Sequence, residues 1–347
     1  MSKDYVLKNA HALERLAHLD LRGEVFENDA LAGLVFDHAD FSGVRFLNCT
    51  MHECLFIECN FIGAKFAGSD LTHTEFSTCR LDKAVFDGCD LSEVDFDECK
   101  LLGTIMRDCQ AKKIGISDCD ATDAVLRDLD MRHINVFDTC LARTDFSGTD
   151  LSSSLFHELD LRETIFERAI MKNVALSGCD LSGRDFSGQD LSGVQFNDTI
   201  LKNVGFSECQ MEMCNFSDAK IENVSFTKAD VSSGIFINAE IEGALFGSAT
   251  IKQSLWNGAL VQKSDFTGAD LSMSVFNRTS FERCRFLGSD MQYSDLSYAG
   301  LKECNLEKIT LNSTRFHRAI VDSEEIKRRV GAIERDHELF EAELWSA

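Results

Sequence analysis

Fourteen cysteines, nine histidines and 58 acids are the side chains in this 347-residue sequence that could carry chemistry. Thiols at regular spacing suggest disulfides or a zinc site. No C-x-x-C pair occurs, however, so the usual zinc spacing is absent. Thirteen of the 14 cysteines sit two residues before an apolar position, and several recur at intervals of 20: Cys59, Cys79, Cys99 and Cys119. Side chains stacked at a strand spacing of about 4.8 Å would form disulfides only under strain. These thiols therefore read as small buried fillers in the place of Ala or Ser, with Cys140 the exception. The histidines are scattered and lack a partnered nucleophile. There is no P-loop, no GxGxxG in a strand–helix setting and no HExxH. Catalysis, a metal and a cofactor are not expected.

The acids are the better candidates. Net charge is −23, and two adjacent faces of the repeat described below hold most of it. One column, again at intervals of 20, reads Glu58, Thr78, Glu98, Asp118, Asp138, Glu158, Gly178, Asp198 and Asp218. Asp37, Glu75, Asp95 and Asp97 fall on the same face. Like charges stacked this closely repel. The same position on other faces is often Gly, Asn or Lys, so the repeat itself does not ask for acids there. The expectation is an acidic face that meets a partner with a basic surface. The competing reading is a solvated, aggregation-resisting surface.

What positions these residues is a period of five. From Leu21 to Val321 every fifth residue is apolar, 61 positions without a slip. Five is neither the helical nor the ordinary strand period, and a short period held this long marks a solenoid. Call the apolar fifth residue the centre. Two before it stands a small residue (Ala39, Cys59, Ala64, Ser69), just before it often Asp or Asn (Asp40, Asn60, Asp70), and after it polar residues or Gly. Read at 20, Phe26, Phe46, Phe66 and Phe86 form one column and Phe36, Phe56, Phe76 and Phe96 the opposite one. Four pentapeptides thus close one turn, with one large and one small residue of each five facing a dense core.

Cys179-Asp180-Leu181-Ser182-Gly183, Ala269-Asp270-Leu271-Ser272-Met273 and Ala39-Asp40-Phe41-Ser42-Gly43 match an A(D/N)LXX pattern. In this the chain resembles the pentapeptide-repeat proteins. The resemblance implies an all-β fold, a right-handed quadrilateral β-helix of about fifteen coils with short helical caps, in the form of a rod. It also implies a bacterial, non-enzymatic, protein-binding role. Resembling members bind type II topoisomerase in place of DNA, although they typically carry loop insertions that this register lacks. Other members resemble accessory or adaptor proteins of bacterial secretion systems, so a structural scaffold is the alternative. Leu55, Ile57, Phe137, Ile235 and Ile237 would be its exposed apolar contacts.

The ends complete the reading. Residues 1–20 are expected to cap the solenoid, with Asn9 starting a short helix through Ala10, Leu13, Leu16 and Ala17. Residues 21–321 are the repeat. Residues 322–347 are expected to form a helical cap, started by Asp322 and Ser323, lined by Ile326, Val330 and Ile333, and continued with helical spacing by Leu339, Phe340, Leu344 and Trp345 after a break near Arg335. By resemblance this end could make a homodimer contact. Between about 102 and 137 the centres lose Phe, while Ile114, Leu129 and Ile134 enlarge the small position, which reads as compensation of volume, with a bend of the rod as the alternative. Arg184 and Gln189 break the small-residue rule. No long apolar run precedes the repeat, and reduced thiols point to a cytoplasmic protein without membrane or direct nucleic-acid binding.

Overall fold

The computed structural model describes residues 3–9 and 15–346. The chain divides into two compact units, Met1–Ala175 and Leu176–Ala347. Both are parallel β-solenoid, about 16 turns in all. Each turn takes 20 residues: Phe26 pairs with Phe46 in the first unit and Ile221 with Ile241 in the second.

In the first unit two sides of each turn are strands as far as Arg107, and one side as far as His157. One ladder has eight, from Leu16–Ala17 through Val35–Asp37 to Leu155–His157. The other has five, from Val25–Glu27 to Ile105–Arg107. The other two sides are tight turns, in which the centre's carbonyl accepts the N–H three residues on, as from Val44 to Phe41 at 3.0 Å. The second unit has one long ladder of seven strands, Ile200–Lys202 to Ile320–Val321, and turns on its remaining sides.

The residue before the centre favours one form without deciding it: Asp95 and Asn135 stand on strand sides, Ile170 and Leu255 on turn sides. On turn sides an Asp or Asn there accepts the N–H two residues on through its side-chain oxygen: Asp40 from Ser42 at 2.9 Å, Asp70 from Thr72 at 3.0 Å, Asp190 from Ser192 at 3.1 Å. This is an Asx turn, which folds the backbone locally. On strand sides that place is more varied; it includes Val25, Val35, Ile105 and Ile200, whose β-branched side chains favour extended backbone, beside Arg45, Lys65 and Glu75.

The core follows the five-residue register. Phe26, Phe46, Phe66 and Phe86 stack at 5.1, 4.9 and 4.6 Å between ring centroids. Phe36, Phe56, Phe76 and Phe96 do so at 5.2, 5.0 and 5.2 Å. Trp256 replaces a Phe, stacks on Phe236 at 4.0 Å and donates to Ser254 at 2.7 Å. Ile114, Leu129 and Ile134 are buried, as compensation for smaller centres requires. Arg184 and Gln189 are half-buried.

The small position does more than fill space. Cys99 donates its thiol to the Phe76 carbonyl at 3.2 Å and accepts the Cys79 N–H at 3.4 Å. Thr139 makes the same pair of contacts, with Ile116 at 3.4 Å and Cys119 at 3.2 Å. Cys, Ser and Thr here join neighbouring turns, and a filler of Ala size would leave those groups without their side-chain partner. All 14 cysteines are free, 12 of them buried, with Cys140 exposed and Cys304 half-exposed.

Both ends differ from the sequence expectation. Helix α1 runs Lys3–Asn9, so Asn9 closes it rather than starting it. Ala10 and Leu13 lie outside the described residues. Leu16–Ala17 is a strand paired with Phe36 and Asp37, which brings the repeat register forward by one pentapeptide. Lys3 caps the exposed edge of the Val25–Glu27 strand through the Val25 carbonyl at 2.9 Å and pairs with Asp29 at 2.5 Å. At the other end Glu324–Arg328 is a single 3₁₀ turn, with no capping hydrogen bond from Ser323. Ala332–Ile333 then pairs as a strand with Thr314–Arg315. Val330 is 97% exposed, so Ile326, Val330 and Ile333 do not share a buried helical face. Helix α2, His337–Ser346, follows. It is held by Glu343, which accepts from Tyr298, from Arg318 at 2.7 Å and from His317 at 3.2 Å. The Arg318 guanidinium and then the Tyr298 hydroxyl hold the Glu343 carboxyl down at about 2.

Candidate functional site: a carboxylate row on the first unit

The eight-strand ladder of the first unit carries the acids singled out in the sequence. Centres such as Phe56, Phe76 and Phe96 point inward, so the residues beside them face solvent. Pairing places Glu75 opposite Asp95, and Asp95 opposite Gly115; Asp97 lies between Ser77 and Ser117. Glu58, Glu75, Asp95, Glu98, Asp118, Asp138 and Glu158 are exposed and Asp97 is half-buried.

Most of the unit's other acids have cations. Asp87 meets Arg107 at 2.6 Å, Glu93 meets Lys113 at 2.8 Å, Asp123 meets Arg143 at 2.6 Å and Asp130 meets Arg132 at 2.8 Å. Among the described residues, Glu75, Asp95, Asp97, Glu98, Asp118 and Asp138 lie in no ion pair. Hydroxyls take the place of cations: Ser117 donates to Asp97 at 2.7 Å and Thr78 to Glu98 at 3.4 Å. Burial pushes the Asp95 carboxyl up from its ordinary value, and the charges of Asp97 and Glu93 add to this against a backbone hydrogen bond from Gly115. Gly115 makes the room: a Cβ there would lie 2.2 Å from the Asp95 carboxylate.

Three sequence-predicted members behave differently. Asp37 is only 8% exposed and already neutralised, by Arg15 at 2.8 Å and His38 at 2.7 Å. Hydrogen bonds from His38 and then Arg15 hold its carboxyl below the usual range. Asp37 is thus an internal ion-pair partner rather than a surface acid. Glu58 meets His38 at 2.9 Å, and Glu158 meets His157 at 3.5 Å. In the second unit, Asp198 and Asp218 are exposed; Asn197 donates to Asp198 at 3.3 Å. They are consecutive in the column, and further on the same series reads Asn238, Gly258, Arg278, Tyr298 and Arg318. The acids of that unit's ladder are largely paired: Glu222 with Lys202 at 2.9 Å, Glu242 with Lys263 at 2.5 Å, Glu282 with Lys302 at 3.1 Å.

The backbone supplies a reason for the column that the sequence reading did not. The residue two after nearly every centre adopts a left-handed conformation, φ +52° at Asp118 and +46° at Asp138. Asp and Asn tolerate that region and Gly is free in it. Aspartates are therefore locally suited there, whereas Glu58, Glu98 and Glu158, also at positive φ, are not. His38 and Arg15 were missed. His18 and His38 head the same column at the same spacing of 20, which was the available signal.

The face offers charge and hydrogen-bond acceptors but no nucleophile poised beside a base. Among the described residues no group of three or more His, Cys, Asp or Glu is arranged to hold a metal ion. No described helix is long and apolar enough to cross a membrane.

Two models of the same repeat match the chain, one for the pentapeptide repeat region over residues 50–126 and 169–256, the other for pentapeptide repeats in eight copies over 144–183 and 264–299. Together they cover well over half of it.

The chain belongs to the pentapeptide-repeat family.

No curated protein matches this pentapeptide-repeat chain significantly in sequence. Among solved structures, trypsin-treated QnrB1, a plasmid-mediated fluoroquinolone resistance protein, is similar at 22% identity over 52% of this chain and 90% of its own, TM-score 0.34. HetL, involved in heterocyst differentiation regulation in the cyanobacterium Nostoc, is 19% identical over 92% and 98%, TM-score 0.21. A pentapeptide repeat protein of the Arabidopsis thaliana thylakoid lumen is 26% identical over 34% and 71%, TM-score 0.21.

Proposed function

We propose that this pentapeptide-repeat protein is a non-catalytic docking protein whose first unit binds a basic protein surface through its carboxylate row. The observation that carries the reading is the set of six acids, Glu75, Asp95, Asp97, Glu98, Asp118 and Asp138, held side by side with no cation of their own. A ladder that leaves like charges facing one another gives up stability locally. A basic partner recovers it through charge complementarity, with gains in association rate and specificity. Glu58 and Glu158 extend the surface at lower density.

The best-specified form of this reading is a DNA mimic acting on a type II topoisomerase, since a DNA-binding groove is a basic surface shaped for a ladder of negative charge. The cytoplasm, where such an enzyme works, also suits 14 free thiols. The test is a gyrase supercoiling assay with this protein added at low and high salt. Inhibition or protection at sub-micromolar protein, lost at high salt, supports the mimic; no effect at low salt removes it. A scaffold role has less support, because Leu55, Ile57, Phe137, Ile235 and Ile237 are half-buried rather than exposed. A homodimer contact belongs at the C-terminal end, where Leu344 is 64% and Trp345 91% exposed, and light scattering of Trp345→Ser beside the unaltered chain tests it.

A further inference from the structure

At the head of the carboxylate row stands a histidine placed between two acids. His38, just after the Val35–Asp37 strand, directs Nδ1 at Asp37, 2.7 Å away, and Nε2 at Glu58, 2.9 Å away just after the neighbouring Leu55–Ile57 strand. A neutral imidazole has one N–H, so it can satisfy only one of two carboxylates and turns a lone pair toward the other. The imidazolium donates to both. Two further groups face it among the described residues. Arg15, 2.8 Å from Asp37, competes for that carboxylate and opposes a positive His38. The His18 ring lies 5.1 Å away, tilted by 50°.

We propose that His38 is a pH-operated clasp at the head of the carboxylate row: protonated, it ties Glu58 to Asp37 across two strands, and neutral, it releases Glu58 as one more free carboxylate on that face. The clasp stands on its own geometry; its consequence for a partner rests on the docking role proposed above. The hydrogen bond to Asp37 foremost, helped by the Glu58 charge, raises His38 above an ordinary histidine against the effect of burial. The native state therefore binds this proton more tightly than the unfolded chain. The contact stabilises the fold fully below about pH 6.5, and its contribution is lost as pH rises through the raised value. Arg15, Asp37, His38 and Glu58 together carry no net charge below that transition and −1 above it. A cationic partner is accordingly held more tightly on the alkaline side.

The experiment is an NMR titration of the histidine Cε1–H resonances in the full chain, with His38 assigned by its loss in His38→Gln. The expected midpoint lies above about 6.5 and moves down in Glu58→Gln, a surface change that leaves the core intact. A midpoint at or below that of an ordinary histidine, or one indifferent to Glu58→Gln, overturns the clasp. In parallel, binding of a decalysine peptide is measured at pH 6 and pH 8.5. Tightening with pH that is diminished in His38→Gln supports the clasp, and tightening of the same size in both chains overturns it. If the peptide binds at neither pH, the docking role fails, while the histidine midpoint still decides the clasp.

Discussion

The two units are built on the same register and the same kind of core, yet they present different surfaces. The first has two strand ladders and the second one long ladder. In the second, Lys and Glu on neighbouring strands pair with each other, as Lys202–Glu222 and Lys302–Glu282 do. In the first, one ladder stacks acid on acid. The difference teaches that the inward residues set the solenoid, while the residue before each centre only biases a side toward strand or turn. The outward residues are then free to carry function. One face balances its charges and the other leaves them unmatched.

The comparison breaks most visibly in the core, which both units should share. Phe56→Ala in the first unit and Phe216→Ala in the second each remove a ring stacked on both sides. Each should cost about 3–5 kcal/mol in denaturant unfolding. A much smaller loss in one unit would show that its stack is not the common foundation.

Next in size is the charge contrast. Glu75→Gln with Asp95→Asn and Asp97→Asn should raise the melting temperature at low salt, and added salt should shrink the gain. Glu222→Gln with Glu242→Gln and Glu282→Gln in the second unit should lower it, since those acids have lysine partners. Asp95 gives a pH signature. Its native carboxyl is raised, so its contribution to stability is present below about pH 3.8 and lost as pH rises through the raised value. Asp95→Asn should therefore stabilise at pH 7 and gain little at pH 3.

A third test concerns the turn rule. Asp40→Ala removes an Asx turn and should cost about 1 kcal/mol. Asp95→Thr, at the equivalent place on a strand side, should cost nothing or stabilise. The smallest effect is at the small position: Cys99→Ser should be near neutral and Cys99→Ala should cost up to about 1 kcal/mol, because only the first keeps the hydrogen bonds between turns.

The repeat was readable because its signal is redundant. Each phenylalanine is one of a column, and the pairing of Phe26 with Phe46 follows from counting alone. The ends were not readable, since they carry no repeat. Leu16 joins the solenoid because Phe36 offers it a strand to pair with, a tertiary cause that helical spacing does not see. Val330 looked like a core residue by its spacing from Ile326, yet the chain turns there to form the Ala332–Ile333 strand and leaves it in solvent. In the candidate site, the acids were visible as a column, but their partners were not. Whether Asp37 is free depends on Arg15, which lies far from it in the chain, and whether Asp118 needs a functional reason depends on the sign of φ.

The central claim is that the first unit's unpaired acids recruit a basic partner. The direct measurement is capture from native extract, read by mass spectrometry, with three baits: the unaltered chain, one with Glu75, Asp95, Asp97, Glu98, Asp118 and Asp138 neutralised as amides, and one with only Asp198 and Asp218 so changed. The account predicts that the unaltered chain and the last bait capture the same basic proteins, and that the second bait loses them. Capture of one unchanged set by all three would contradict it.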